Sequence, residues 1–142
     1  MKLTRYSDYA LRVCLYLALH QDRLVSISEI VDTYAIPRGN VMKLATDLVG
    51  AGILTSVRGR SGGLRLSAPA RDITVGQIVR HTEGNSAMVD CSSCILAPDC
   101  GLICILKEAQ MAFFNSLDRY TLQQVCDSGS DSLSRKLLSA HS

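Results

Sequence analysis

Residues 26–49 read SISEIVDTYAIPRGNVMKLATDLV, two amphipathic segments separated by a proline–glycine break. Ser26 followed by Glu29 has the form of a capping box, and Ile27, Ile30 and Val31 give the segment after it one apolar side as far as Tyr34. Pro37 restricts Ile36 and Gly39 relaxes the backbone, so this helix should break over residues 35–39. A new helix is expected to restart near Asn40, to turn Val41, Leu44, Leu48 and Val49 inward, and to stop at Gly50 and Gly52. Two short helices joined by so tight a turn form a helix-turn-helix.

The flanks extend the pattern. From about Tyr6 to His20, after a cap at Thr4 or Ser7, Leu11, Leu15 and Ala18 share one face and Ala10, Cys14 and Leu17 another, so this first helix must be largely buried. Downstream, two β-like runs, Ile53 to Val57 and Leu64 to Ser67, enclose Arg58-Gly59-Arg60-Ser61-Gly62-Gly63, a hairpin with a basic, glycine-rich tip. Thr74 introduces a short helix over residues 75–83, and a polar loop with several cysteines follows. Leu102, Leu106, Ala109, Phe113 and Leu117 then recur at helical spacing in a segment also apolar at Ile103, Ile105 and Phe114, which needs more than one neighbour to cover it. Thr121 with Gln124 suggests a last small turn of helix, and residues 128–132 read as a frayed linker.

The fold class expected is mainly α with a small β-hairpin wing: a winged helix-turn-helix DNA-binding domain plus a long dimerisation helix. The chain divides into a winged helix-turn-helix over residues 1–83, a cysteine-rich loop over 84–101, the dimerisation helix and short helix over 102–126, and a flexible tail over 127–142.

Charge agrees with that division. The net charge is only +2, but residues 1–70 carry nine Lys/Arg against five Asp/Glu, while residues 71–142 carry six against eight. Arg38, Asn40 and Lys43 fall near the start of the helix that would enter a major groove, where Arg or Lys addresses guanine and Asn adenine. Arg58 and Arg60 at the wing tip suit a narrow minor groove, and Lys2 and Arg12 suit phosphate contacts. Any one of these residues could be ordinary solvated surface; their clustering on adjacent elements points to a double-stranded DNA operator as partner.

Cys91-x2-Cys94-x5-Cys100-x3-Cys104 places four thiols within fourteen residues. Thiolate is the soft ligand of iron–sulfur clusters and of zinc, and spacing alone leaves both open. Cys14 reads as a core residue and Cys126 as incidental; His20, His81 and His141 have no ligand spacing. No nucleophile–base pair or phosphate loop argues for an enzyme. The apolar stretch from Ala10 to Leu19 is too short, and interrupted by Arg12, for a secretory signal, so a cytoplasmic chain with reduced thiols is expected.

The residues now support a resemblance. Leu3-Thr4, Asp8-Tyr9-Ala10-Leu11-Arg12, the wing from Val57 to Leu66, Ile78-Val79-Arg80 with Thr82-Glu83, and the cysteine loop together resemble the NsrR/IscR/RirA-like family of bacterial winged-helix iron–sulfur repressors. Leu117-Asp118-Arg119-Tyr120-Thr121-Leu122 is most similar to its nitric-oxide-sensitive branch. The resemblance implies a homodimer built on the long helix and an iron–sulfur cluster, of 4Fe–4S or 2Fe–2S type, held by three loop cysteines. It also implies a further ligand that maps onto Asp8 of the partner's first helix, although a carboxylate near a helix N-terminus is favourable for its own sake. The sequence departs from the family in the closer spacing of Cys91 and Cys94 and in the additional Cys104, so Cys91, Cys94 and Cys100 are the expected ligands with Cys104 or Asp8 as the fourth. The function expected is a transcriptional repressor released from DNA when nitric oxide attacks the cluster. The alternatives are a regulator responding to iron or cluster supply and, from another class, a zinc-binding or thiol-redox regulatory protein.

Overall fold

The computed structural model describes residues 1–84, 86–129, 131, 135, 136 and 139. In chain order the elements are α1 (Arg5–Leu19), α2 (Ile27–Tyr34), α3 (Arg38–Gly50), β1 (Leu54–Val57), β2 (Gly63–Leu66), a 3-10 turn (Ala70–Asp72), α4 (Val75–Glu83), α5 (Leu102–Asp118) and α6 (Leu122–Ser128). Of the sequence features noted above, His141 and residues 130 and 132 of the linker lie outside the described residues, as does most of the expected tail.

Side-chain caps set where several helices begin. Thr4 accepts the Ser7 amide, Ser26 that of Glu29 and Thr74 that of Gln77, each satisfying an amide that the first turn leaves without a partner. Of the two caps considered for α1, the chain uses Thr4 and buries Ser7 completely. The Glu29 carboxylate accepts from Arg23 and from the Tyr16 hydroxyl, so it ties α2 to α1.

The turn between α2 and α3 differs from the expectation. The left-handed residue is Ala35, at φ 53°, and α3 begins at Arg38, so Gly39 lies inside the helix. Pro37 is the cap residue: its carbonyl accepts from Asn40 and Val41 at 2.9 and 3.2 Å, which starts the helix two residues before Asn40. Ile36 is buried in the core and anchors the turn.

The wing is an antiparallel pair with Leu54 opposite Leu66 and Val57 opposite Gly63. Its root is fixed to the strand-like residue before α2, because Val25 and Leu64 exchange backbone hydrogen bonds of 3.0 and 2.7 Å. That approach requires Gly63, where a Cβ would lie 2.6 Å from the Val25 carbonyl oxygen.

One core joins these elements. Ala10, Val13, Cys14 and Leu17 of α1 pack with Ile30, Leu44, Leu48, Leu64 and Ile78. Leu122 of α6 belongs to the same core and is fully buried, so the short helix grouped by sequence with the long one is packed into the winged-helix body. Backbone bonds from Val75 to Tyr120 (2.8 Å) and from Leu122 to Ile73 (2.9 Å) hold it there. Between these anchors α5 leans on α4 and buries only Phe114.

Candidate functional site

The basic face is assembled by α3 and the wing. Arg38, Asn40 and Lys43 are all exposed on α3, and Arg38 donates to the Ser28 hydroxyl at 2.8 Å across the turn, bringing the first turns of α2 and α3 together. Because α3 starts at Arg38, Met42 and Thr46 follow one and two turns along the same exposed side, with Lys43 beside them. Sequence reasoning missed Met42, Thr46 and Ser28, and an earlier helix start would have revealed the first two. Arg58 and Arg60 are exposed at the wing tip, where Gly59 takes φ 109° and the Gly62 amide closes the turn onto the Gly59 carbonyl at 3.0 Å.

Lys2 and Arg12 have different surroundings. Lys2 lines a cavity of about 210 Å³ with Met88, Ala109 and Phe113, beside α5. Arg12 is paired with Asp8 at 2.8 Å, both side chains nearly half exposed, and its backbone carbonyl accepts from the Tyr34 hydroxyl at 3.1 Å.

Behind the basic face, Asp47 holds α3 in place. One of its oxygens accepts from the Tyr6 hydroxyl of α1 at 2.6 Å, and the other lies 3.1 Å from Nε2 of His81 on α4. The Tyr6 hydrogen bond, followed by that of His81, holds the Asp47 carboxyl below the ordinary carboxylate range, although partial burial opposes the shift. Glu83 ends α4 against the start of α1, accepting from the Thr4 amide (2.8 Å), the Thr4 hydroxyl (2.9 Å) and the Ser7 hydroxyl. Burial pushes its pKa up, but the hydrogen bonds from Ser7 and Thr4 outweigh it and the pKa is lowered.

The cysteines fall into two kinds. Burial pushes the Cys14 thiol up to about 12, so it stays protonated and packs as a small hydrophobe. Cys126, half-buried, is raised by burial and by Asp127. Cys91 and Cys100 are half-buried, and Cys94 and Cys104 are exposed. Local turns shape this segment: Cys94 donates to the Cys91 carbonyl (3.3 Å), Ala97 to Cys94 (3.2 Å) and Ile103 to Cys100 (3.4 Å).

Cys91 opens onto a cavity of about 530 Å³ lined by Met88, Val89, Ile103, Leu106 and Gln110. Cys104 instead joins Met111, Ala112 and Asn115 along another groove of α5. Three soft thiols on turn-built backbone, with a fourth in the first turn of α5, are a donor set suited to an iron–sulfur cluster. Among the described residues of one chain, however, no three His, Cys, Asp or Glu side chains are gathered into a metal-holding group, and Asp8 is engaged by Arg12.

Among the described residues, no helix is long and apolar enough to cross a membrane. The family model named Rrf2, iron-dependent transcriptional regulator, matches residues 3–128. The chain is 41% identical over 131 residues to the HTH-type transcriptional regulator NsrR of Bacillus licheniformis, covering 88% of this chain and 92% of that protein. It is 39% identical over 137 residues to NsrR of Bacillus subtilis, covering 92% and 94%. Among solved structures, CymR, the global cysteine regulator of B. subtilis, superposes with a TM-score of 0.69 at 25% identity, over 92% of this chain and 99% of that one. IscR of T. potens shares the fold, with a TM-score of 0.75 at 24% identity over 93% and 90%.

Proposed function

The chain belongs to the Rrf2 family of transcriptional regulators, which are not enzymes, and from that premise we propose a cytoplasmic homodimeric repressor that binds operator DNA and is controlled by an iron–sulfur cluster responding to nitric oxide. The observation that carries this reading is the pairing of an exposed basic winged helix with four accessible thiols on a segment that the chain itself leaves uncovered. Arg38, Asn40 and Lys43 read bases from α3, Arg58 and Arg60 enter the minor groove, and Arg12 contacts phosphate. Lys2, set beside α5, contacts phosphate only if the second copy carries DNA toward it.

Cys91, Cys94 and Cys100 hold the cluster. Asp8 of the partner subunit is the fourth ligand favoured here, because Cys104 lines a different groove from Cys91. Recruiting Asp8 requires releasing Arg12, and a surface ion pair contributes only about 0–1 kcal/mol, so the exchange costs little. When bound, a cluster supplies iron on which nitric oxide acts. The chain's part is to hold that iron by a displaceable carboxylate and to present two α3 helices at a fixed separation. The apolar outer side of α5, with Leu102, Ile105 and Met111 exposed, supports this helix as the dimer seam.

The test is anaerobic purification with iron and sulfide analysis, followed by binding to duplexes selected from a random-sequence pool, with and without nitric oxide. The expected result is a coloured dimer that releases DNA on exposure. Asp8→Ala should alter the cluster spectrum and blunt release, while Cys104→Ala retains a bound cluster. A colourless zinc protein would overturn the cluster, and release on iron starvation but not on nitric oxide would move the signal to iron supply.

A further inference from the structure

The last turn of α4 sends neighbouring side chains to three different elements. Arg80 pairs with Asp118, donates to the Asn115 side-chain oxygen at 3.4 Å and stacks over the Phe114 ring at 4.7 Å, all on α5. His81, the next residue, reaches Asp47 on α3. Glu83 grips the first turn of α1 through Thr4 and Ser7. At the other end of α4, Gly76 lies so close to α5 that a Cβ there would be 2.6 Å from the Asp118 amide nitrogen. α4 is only nine residues long and is bounded by the Thr74 cap and by Gly84 at φ 68°.

We propose that His81 and Asp47 are positioning residues through which α4, acting as a lever, transmits the posture of α5 to the DNA-reading helix α3. The idea rests on the reading of α3 and α5 given above. A shift of α5 is felt at Arg80 and Gly76, carried rigidly along α4 and delivered one residue later to Asp47. Asp47 is a suitable receiver because its two oxygens answer to different helices, Tyr6 of α1 and His81 of α4, so displacing α4 changes how α3 is held relative to α1. The His81 and Asp47 side chains are 32% and 40% exposed, so their contact adds little to stability while still bridging two elements. A contact with those properties can be removed without unfolding the chain, and it can therefore be tested.

Amide hydrogen exchange of the full chain reads the lever directly. Asp118→Asn, which weakens the grip of α5 on Arg80, should change exchange over residues 42–46 of α3 by about three- to tenfold in the parent background. In a His81→Ala background the same substitution should change it by less than about twofold, because the link is already cut. His81→Gln, which keeps a donor for Asp47, should restore the response; a purely structural histidine would show no such rescue. If Asp118→Asn is poorly folded, Arg80→Gln breaks the same pair from the other side. Equal effects of Asp118→Asn on α3 in both backgrounds would overturn the lever. If the exchange pattern holds but the chain binds no duplex selected from a random-sequence pool, the lever stands and the repressor reading falls.

Discussion

α1 and α5 are of similar length, 15 and 17 residues, yet seven residues of α1 are buried and α5 buries only Phe114. Apolar content does not explain the difference, because α5 carries Leu102, Ile103, Ile105, Leu106, Met111, Phe113 and Leu117. Neighbours do. α1 is packed by α3, α4, α6 and the wing, whereas α5 leans mainly on α4. The winged-helix body is thus packed from several sides, while the cysteine-bearing arm keeps apolar residues and thiols that one chain leaves uncovered.

The comparison is open to attack first through paired core and arm substitutions. Leu122→Ala should cost about 2–5 kcal/mol of unfolding free energy, because it empties a wholly buried site in the body. Ile95→Ala in the cysteine loop, where the side chain is 95% exposed, should stay within about 0.5 kcal/mol. Chemical denaturation of both variants measures this, and equal losses would erase the distinction between body and arm.

Gly76→Ala tests a seam where arm and body meet at backbone distance. The added methyl has no room against the Asp118 amide, and overpacking of this kind costs about 1–3 kcal/mol. Gly39→Ala is the control: its Cβ would meet nothing within 4 Å, and a helical alanine there should stabilise by about 0.4–1 kcal/mol.

Acid should loosen the body through Glu83 and Asp47, whose carboxyls are both held below their ordinary values of 4.5 and 3.8. A carboxyl lowered in the folded state contributes stability that is present in full above its unfolded value and is lost as pH falls through the lower folded one. Thermal melts should therefore be steady down to about pH 4.5 and fall below it. Glu83→Gln should flatten part of that decline, and an acid limb as steep as that of the parent would contradict the assignment.

The smallest effect belongs to Cys14. Near neutral pH a thiol-alkylating reagent should label Cys94 and Cys104 of the metal-free chain promptly and leave Cys14 untouched until the body unfolds. Mass spectrometry of labelled peptides decides it; early labelling of Cys14 would show the core to be more open than its packing implies.

Much of the body was legible because its apolar residues repeat at helical spacing and are buried by near neighbours in sequence, as in Ile30, Val41, Leu44 and Leu48. The start of α3 was misplaced because a glycine after proline resembles a break, while the turn is made by a left-handed Ala35 that leaves no compositional mark. The wing arginines and the α3 polar residues could be read from position. The company they keep could not: Tyr6 and Asp47 meet across 41 residues, and isolated polar contacts have no period to detect. Cysteine spacing likewise names candidate ligands without showing whether one chain can gather them.

The return of α6 to the body sets an order on events during synthesis. Leu122 completes a core whose other members lie between Ala10 and Ile78, so the body cannot close until residues beyond 121 have emerged. By then Cys91, Cys94, Cys100 and Cys104 have already been made and α5 lies between the two halves that must meet. A nascent chain therefore exposes these thiols to the cell before its winged-helix body is complete.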